Sequence, residues 1–266
     1  MFEWKSPYQN EAYFQACSLA GMDCSKLELN GRTYYFYKSG SSYVAWELPQ
    51  LAVQIIDSFP SGYQGYLHTQ VGTYDSMDWS NSFPSYSTLF SLPNDVTQKD
   101  SDGLPVTYSK RFKRSLAKGI TSGLVHGLAE TDEQVNSAIQ MFQEHEDRRD
   151  GLEVGFFHNS VWQWLLMNAA DLHVIQHMNH KALLGAAVVL KSNSQSNLRY
   201  YTSERSSINP GHFLHHNLLS YYLEKRGFKV VDQSGITSPL EPDLKLRGIS
   251  EFKLQTSERV SRFILR

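Results

Sequence analysis

Residues 210–236 constrain the fold of this chain more than any other stretch. Pro210-Gly-His-Phe-Leu-His-His-Asn-Leu-Leu-Ser-Tyr-Tyr-Leu-Glu-Lys-Arg-Gly-Phe-Lys-Val-Val-Asp-Gln-Ser-Gly-Ile236 predicts a helix, a glycine stop, a short buried strand and a glycine turn. Asn209 is placed to cap the helix, and Pro210 stands where a missing N–H costs least. Leu214, Leu218 and Tyr221 or Tyr222 recur at helical spacing. Gly227 suits the left-handed position that ends a helix. Phe228, Val230 and Val231 form an apolar run short enough for a buried strand, with Asp232 at its C-terminal end. In sheets backed by helices, ligands sit at that edge. A loop then leads to Arg247-Gly-Ile-Ser-Glu-Phe-Lys253, which delivers a lysine beside an aromatic.

Upstream, residues 9–21 read as a helix, and Asn30-Gly31 between β-rich runs reads as a hairpin turn. Residues 43–48 continue as a strand and 49–59 as a helix. The stretch 60–105, rich in Ser, Gly, Pro, Tyr and Asp, offers little beyond short strands. A basic helix follows from Tyr108 and stops at Gly119. Residues 124–128 read as a strand. Thr131 and Gln134 have capping-box spacing ahead of Val135, Ala138, Ile139 and Phe142. Arg148 and Arg149 read as part of a charged helix end. Residues 158–169 read as a helix. Strands at 172–178, 183–190 and 198–202, joined by turns, predict an antiparallel meander. From 121 onward the order is β-α-α-β-β-β-α-β, an α/β unit with a mixed sheet.

With 266 residues, 41% hydrophobic and 20% charged, the chain is globular and holds one large domain or two ordinary ones. A net charge of −2 does not indicate bulk attraction to nucleic acid, so DNA is not an expected partner, while a local basic patch stays open. Cys17 and Cys24 cannot build a disulfide scaffold, and their spacing is not that of a zinc site. The sequence shows neither a signal-peptide layout nor a membrane-spanning run, which predicts a cytoplasmic location.

Three motifs, in this order and spacing, resemble the Fem-type branch of the GNAT acyltransferases. They are Tyr108-Ser-Lys-Arg-Phe-Lys-Arg-Ser-Leu-Ala-Lys118, then Glu144-His-Glu-Asp-Arg-Arg-Asp-Gly151, and finally Gly227 to Ile236 followed by Arg247 to Lys253. The resemblance is good over 105–266 and weak over 1–104. It implies two tandem GNAT-like domains: 1–120, divergent and ending in the basic helix, and 121–266. It also implies transfer of an activated acyl or aminoacyl group to an amine, with acyl-CoA or aminoacyl-tRNA as donor. The acceptor would be a small molecule or nucleotide-linked, in peptidoglycan or polysaccharide synthesis. The alternatives are a CoA-dependent N-acetyltransferase and an inactive binding protein on the same fold.

Acyl transfer to an amine requires a proton acceptor, charge stabilisation at the carbonyl oxygen, and alignment. Lys253 is the candidate for the oxyanion or a phosphate, with Phe252 excluding water; the alternative is a surface lysine. Asp232 is the candidate base, or else a strand-end carboxylate bonded to the turn at Gly235. Ser234 and Gly235 would line the same crevice. Arg205 opens a loop that in CoA-dependent relatives is glycine-rich and cradles pyrophosphate. Here Arg205-Ser-Ser-Ile-Asn-Pro-Gly-His212 has one glycine, and Pro210 removes a donor, which argues against CoA. Arg205 remains available to an anion or to Glu204. Lys110, Lys113 and Arg114 share a helix face suited to phosphates of tRNA or a nucleotide, or simply to water. His212, His215 and His216 lack the glutamate of a zinc-protease helix, and no metal is expected.

Overall fold

The computed structural model describes residues 6–80, 85–147, 154–179 and 182–266. The Arg148–Arg149 part of the second motif lies outside them. The strands are β1 (Cys24–Leu29), β2 (Arg32–Ser39), β3 (Ser42–Leu48), β4 (Tyr63–Thr73), β5 (Ser85–Ser91), β6 (Leu124–Leu128), β7 (Ala170–His177), β8 (Leu183–Lys191), β9 (Gln195–Ser203), β10 (Val230–Ile236) and β11 (Arg259–Leu265). They form one 11-stranded mixed sheet in the order β1-β2-β3-β4-β11-β5-β10-β9-β8-β7-β6. The helices are α1 (Glu11–Leu19), α2 (Val53–Ile56), α3 (Pro93–Thr97), α4 (Lys110–Thr121), α5 (Asp132–Asp147), α6 (Val154–Leu166), α7 (Pro210–Ser220) and α8 (Leu244–Leu254).

The sheet is covered on both faces around β8. Ala186, Val188 and Leu190 pack with α5, α6 and α1, while Ala187 and Val189 pack with α4 and α7. A strand buried on both sides must read as an unbroken apolar run, and Leu183–Leu190 does. The meander β7-β8-β9 is antiparallel as expected.

Hydrogen bonding runs unbroken across the sequence position 120/121. β11, the last strand, lies antiparallel between β4 and β5. β5 in turn pairs with β10. In the other direction α1 packs onto α6, where Trp164 Nε1 donates to Cys17 Sγ at 3.4 Å.

Several local expectations change. The stretch 60–105 contains β4 and β5, which border the centre of the sheet. Its Ser, Thr and Tyr residues hide a strand pattern because β5 buries hydroxyl groups as well as Leu89 and Phe90. Gly119 does not stop α4, which continues to Thr121. A Cβ there would lie 2.9 Å from Phe213 Cβ, so glycine permits the close approach of α4 and α7. Asn209 does not cap α7 with its side chain; it takes φ +52 and donates to Ser207 O. Leu244–Leu254 form α8, which takes in the end of the loop expected before Arg247 and is capped by the Asp243 carboxylate on Lys245 N and Leu246 N.

α7 ends in a π-turn, Tyr221–Lys225, before Gly227 at φ +66. The wider turn carries Tyr222 onto the sheet. Tyr222 OH donates to Asp171 Oδ2 at 2.8 Å, and Lys191 Nζ holds Oδ1 at 2.5 Å. His173 Nε2 lies 2.9 Å from Tyr222 OH, and His126 Nε2 lies 3.0 Å from His173 Nδ1.

Candidate active site

Two strand irregularities, one in each half of the chain, build the site. β3 pairs with β4 at Ala45↔Gly65 and next at Leu48↔Leu67, so β3 carries an extra residue. Glu47 sits in that bulge at φ +56, a costly conformation for a residue with a Cβ. β10 pairs with β5 at Asp232↔Phe90 and next at Gly235↔Thr88, again with one residue to spare. Ser234 there takes φ +66. The bulges bring the buried Glu47 and Asp232 carboxyls near each other, where Glu47 favours the Asp232 carboxylate.

β9 and β10 run parallel and pair only at Val230↔Gln195, Val231↔Ser196 and Asp232↔Asn197. Beyond Asp232 they diverge. The Ser234 hydroxyl bridges the start of the gap by donating to Leu198 O. Asp232 therefore lies where the pairing with β9 stops, but not at the strand end that the sequence predicts: β10 runs on to Ile236 against β5 and takes in the turn expected at Gly235. Asp232 Oδ1 accepts from Ser234 N at 2.7 Å and its Oδ2 from Asn197 Nδ2 at 2.8 Å. Tyr8 OH donates to Asn197 Oδ1 at 3.2 Å, and Ser6 Oγ donates to Glu47 Oε2 at 2.7 Å. Burial pushes Asp232 up to about 6, opposed by the bonds from Ser234 N and Asn197 Nδ2, by the nearby Lys253 charge and by Glu47.

Lys253 reaches the same place from the last turn of α8. Its Nζ donates to Gly235 O at 2.7 Å. Burial lowers it to about 8, against the attraction of Asp232. Thr256 Oγ1 donates to Lys253 O at 2.8 Å and so fixes the end of α8. Beneath it, His215 Nε2 lies 3.0 Å from Gln233 Oε1, and Gln233 Nε2 donates to Ser91 Oγ at 2.7 Å. Phe252 packs against His212 and His215, with ring centroids 5.1 and 5.2 Å away. The three α7 histidines are thus engaged in packing and hydrogen bonds, His216 with Tyr108 at 3.3 Å. Among the described residues no three His, Cys, Asp or Glu side chains form a metal-binding group.

A cleft of about 290 Å³ opens onto Glu47 and Ser6, bounded by Gln9, Arg32 and the β8–β9 turn at Ser192 and Asn193. A second cleft of about 450 Å³ lies elsewhere, lined by Glu144, His145, Glu204, Arg205 and Lys245.

Lys253, Asp232, Phe252, Ser234 and Gly235 are therefore brought together. Arg205 belongs to the second cleft. Lys110 and Arg114 lie exposed on α4, while Lys113 is spent on Asp100 at 2.5 Å. Sequence reading missed Glu47, Asn197, Ser6 and Tyr8. The one usable signal was a lone acidic residue inside the apolar strand Tyr43-Val-Ala-Trp-Glu-Leu48.

No protein-family model and no curated protein sequence matches the chain. Solved structures do. FemX superposes with a TM-score of 0.65 at 11% identity, over 96% of this chain and 90% of that one. The C-terminal domain of a putative lysylphosphatidylglycerol synthetase from Agrobacterium fabrum gives 0.59 at 11%, over 96% and 88%. A tandem GNAT protein from the clavulanic acid biosynthesis pathway gives 0.50 at 12%, over 98% and 88%. Among the described residues no helix is long and apolar enough to cross a membrane. With its large mixed sheet flanked by helices, the chain has a Fem-like, GNAT-type fold.

Proposed function

We propose that the chain is an acyltransferase that joins an activated acyl or aminoacyl group to an amine at the Glu47–Asp232 junction. The observation that carries this is the buried carboxyl pair with the Lys253 ammonium beside it. Asp232, raised to about 6, is poised to take a proton near neutral pH, where a general base is most effective. Lys253 is the group for the developing oxyanion, and Ser234 and Gly235 align the acyl carbon. No nucleophile–base pair is needed, since the amine attacks the activated acyl group directly.

Aminoacyl-tRNA is the favoured donor over acyl-CoA. At the α7 N-terminus Pro210 has no N–H, and those of His212 and Phe213 turn back onto Asn209 O at 3.2 and 3.4 Å. Little is left there to cradle a pyrophosphate. The exposed cations Lys110, Arg111, Arg114 and Lys118 on α4 offer a face for RNA phosphates. Such a donor places the activity in the cytoplasm, on precursors of peptidoglycan or another polymer.

The test is transfer of a labelled aminoacyl group from aminoacyl-tRNA, and of acetyl from acetyl-CoA, to amine acceptors. Transfer from tRNA that falls sharply in Lys253→Ala and Asp232→Asn supports the reading. Transfer from acetyl-CoA alone replaces the donor. If neither donor is consumed nor raises the melting temperature, the chain is a binding protein on an acyltransferase fold.

A further inference from the structure

We infer that Arg199 holds an anionic group, a carboxylate or a phosphate, carried by the acceptor whose amine reaches Asp232. This rests on the acyl-transfer reading and adds a specificity-determining residue to the same site.

The first observation is a third strand irregularity. β9 pairs with β8 at Leu198↔Val189 and next at Tyr200↔Val188, so β9 has one residue to spare, Arg199. In a regular strand Leu198 and Tyr200 would share one face and Arg199 would take the other. Here Leu198 packs on the α4–α7 side of the sheet and Tyr200 on the α5–α6 side. The bulge thus puts Arg199 and Tyr200, neighbours in sequence, on one face, with the guanidinium 5.2 Å from the Tyr200 ring centroid. Bulges beside active sites re-aim side chains, as those at Glu47 and Ser234 do.

The second observation is exposure where the fold predicts none. β9 is an interior strand between β8 and β10, and this face of the sheet is covered by α1, α5 and α6. Leu198 and Thr202 are buried, yet Arg199 is exposed. Solvent therefore reaches the sheet at Arg199, just past the point where β9 and β10 stop pairing. An arginine left to water would need neither the bulge nor the gap in the helical cover.

The third observation is the lack of a counter-ion. Tyr8, Tyr200 and Tyr13 lie within range of the Arg199 charge. Among the described residues no carboxylate pairs with it. A guanidinium stacked on a ring presents its N–H donors edge-on, and a carboxylate or phosphate fits that fork. Tyr8 ties this group to the junction. Its OH donates to Asn197 Oδ1 at 3.2 Å, and Asn197 Nδ2 donates to Asp232 Oδ2 at 2.8 Å. Arg199 follows Asn197 by two residues, roughly 7 Å along the strand. An amine at Asp232 and an anion at Arg199 are then the two ends of one short molecule.

The probes are β-alanine, 2-aminoethyl phosphate and β-alaninamide, which share an amine and differ at the far end. The readout is the guanidinium Nε–H resonance of Arg199 in the chain carrying isotope-labelled arginine, identified by its absence from Arg199→Lys. The expected result is a saturable shift with one or both anions, and at least tenfold weaker binding of β-alaninamide. Preference for β-alanine assigns a carboxylate, and preference for 2-aminoethyl phosphate assigns a phosphate. In titration calorimetry, Arg199→Gln should bind the preferred anion at least tenfold more weakly and β-alaninamide unchanged. Should that variant fail to fold, Arg199→Lys, which keeps the charge and loses the fork, should bind the anion several-fold more weakly. Equal binding of β-alaninamide, no saturable shift with either anion, or undiminished anion binding in the variant overturns the inference. Acyl transfer to β-alaninamide as efficient as to the anions would sink it and leave the acyltransferase reading standing. Anion binding through Arg199 with no transfer from any donor would do the reverse.

Discussion

Two polar networks buried among the described residues differ in what they leave unresolved. The His126–His173–Tyr222–Asp171–Lys191 network has one hydrogen-bond direction. Asp171, held by Lys191, only accepts, so Tyr222 donates to it and accepts from His173 Nε2–H. His173 Nδ1 then accepts from His126 Nε2–H. Every proton has one place, and the backbone supporting it is regular strand and a π-turn. The Glu47–Asp232 network sets two buried acids near each other, so where a proton rests between them is open, and each acid is aimed by a bulge with a left-handed residue. Strain and an undecided proton belong to chemistry, and a fully assigned network belongs to stability.

The largest effect should come from breaking the junction. Asp232→Asn is expected to lower kcat/KM for acyl transfer by about a hundredfold or more, the range lost with a general base. Tyr222→Phe should break the other network and leave transfer rates unchanged. It strands the His173 N–H and one Asp171 oxygen in the interior, so urea unfolding should show a loss of about 1–3 kcal/mol.

The same two networks should respond oppositely to pH. Asp232 is raised from 3.8 to about 6, so its contribution to stability is whole below about 4 and lost as pH rises through 6. At pH 8, Asp232→Asn should therefore be more stable than the parent by about 3 kcal/mol, since the rise from 3.8 to about 6 is worth about 1.4 kcal/mol per pKa unit. The gain should vanish by pH 4. His126 is lowered from 6.5 to about 4 by burial, and His173 lies well below its usual value for the same reason. Their contribution is whole above 6.5 and lost as pH falls through about 4. His126→Gln should flatten the fall in melting temperature between those values. The smallest effect should be that of Lys110→Ala with Arg114→Ala. These exposed side chains should leave melting within about 0.5 kcal/mol, while weakening tRNA binding and lowering its salt dependence.

The C-terminal half of the fold was legible because its elements are short-range. Helix spacing, the capping pair Thr131 and Gln134, and the apolar run of β8 each declare themselves within a dozen residues. The capping pair indeed bonds reciprocally, at 3.2 and 3.3 Å. In the N-terminal half α1, the β1–β2 hairpin at Asn30-Gly31 and β3 were legible for the same reason, but β4 and β5 were not, because they are completed by β11 from the far end of the chain. Of the site, Asp232, Ser234, Gly235, Phe252 and Lys253 were visible as one segment. Glu47 was not, because a bulge is decided by pairing, and a single glutamate between Trp46 and Leu48 looks like an ordinary solvent-facing strand residue. Arg205 looked convincing from its place in the loop, yet the splay at Asp232 and the cleft at Arg205 are different places in the fold.

The placement of β11 has a consequence for how the chain comes to be folded. β4 and β5 have no partner between them until Arg259–Leu265 has been made. During synthesis the first half waits with two open strand edges, the kind of surface that recruits other chains. Lys253, just ahead of that strand, arrives at nearly the same moment. The sheet therefore closes, and the site acquires its lysine, in one late event of high contact order, which predicts slow refolding. A partly made chain would carry Asp232 without the lysine whose charge favours its carboxylate.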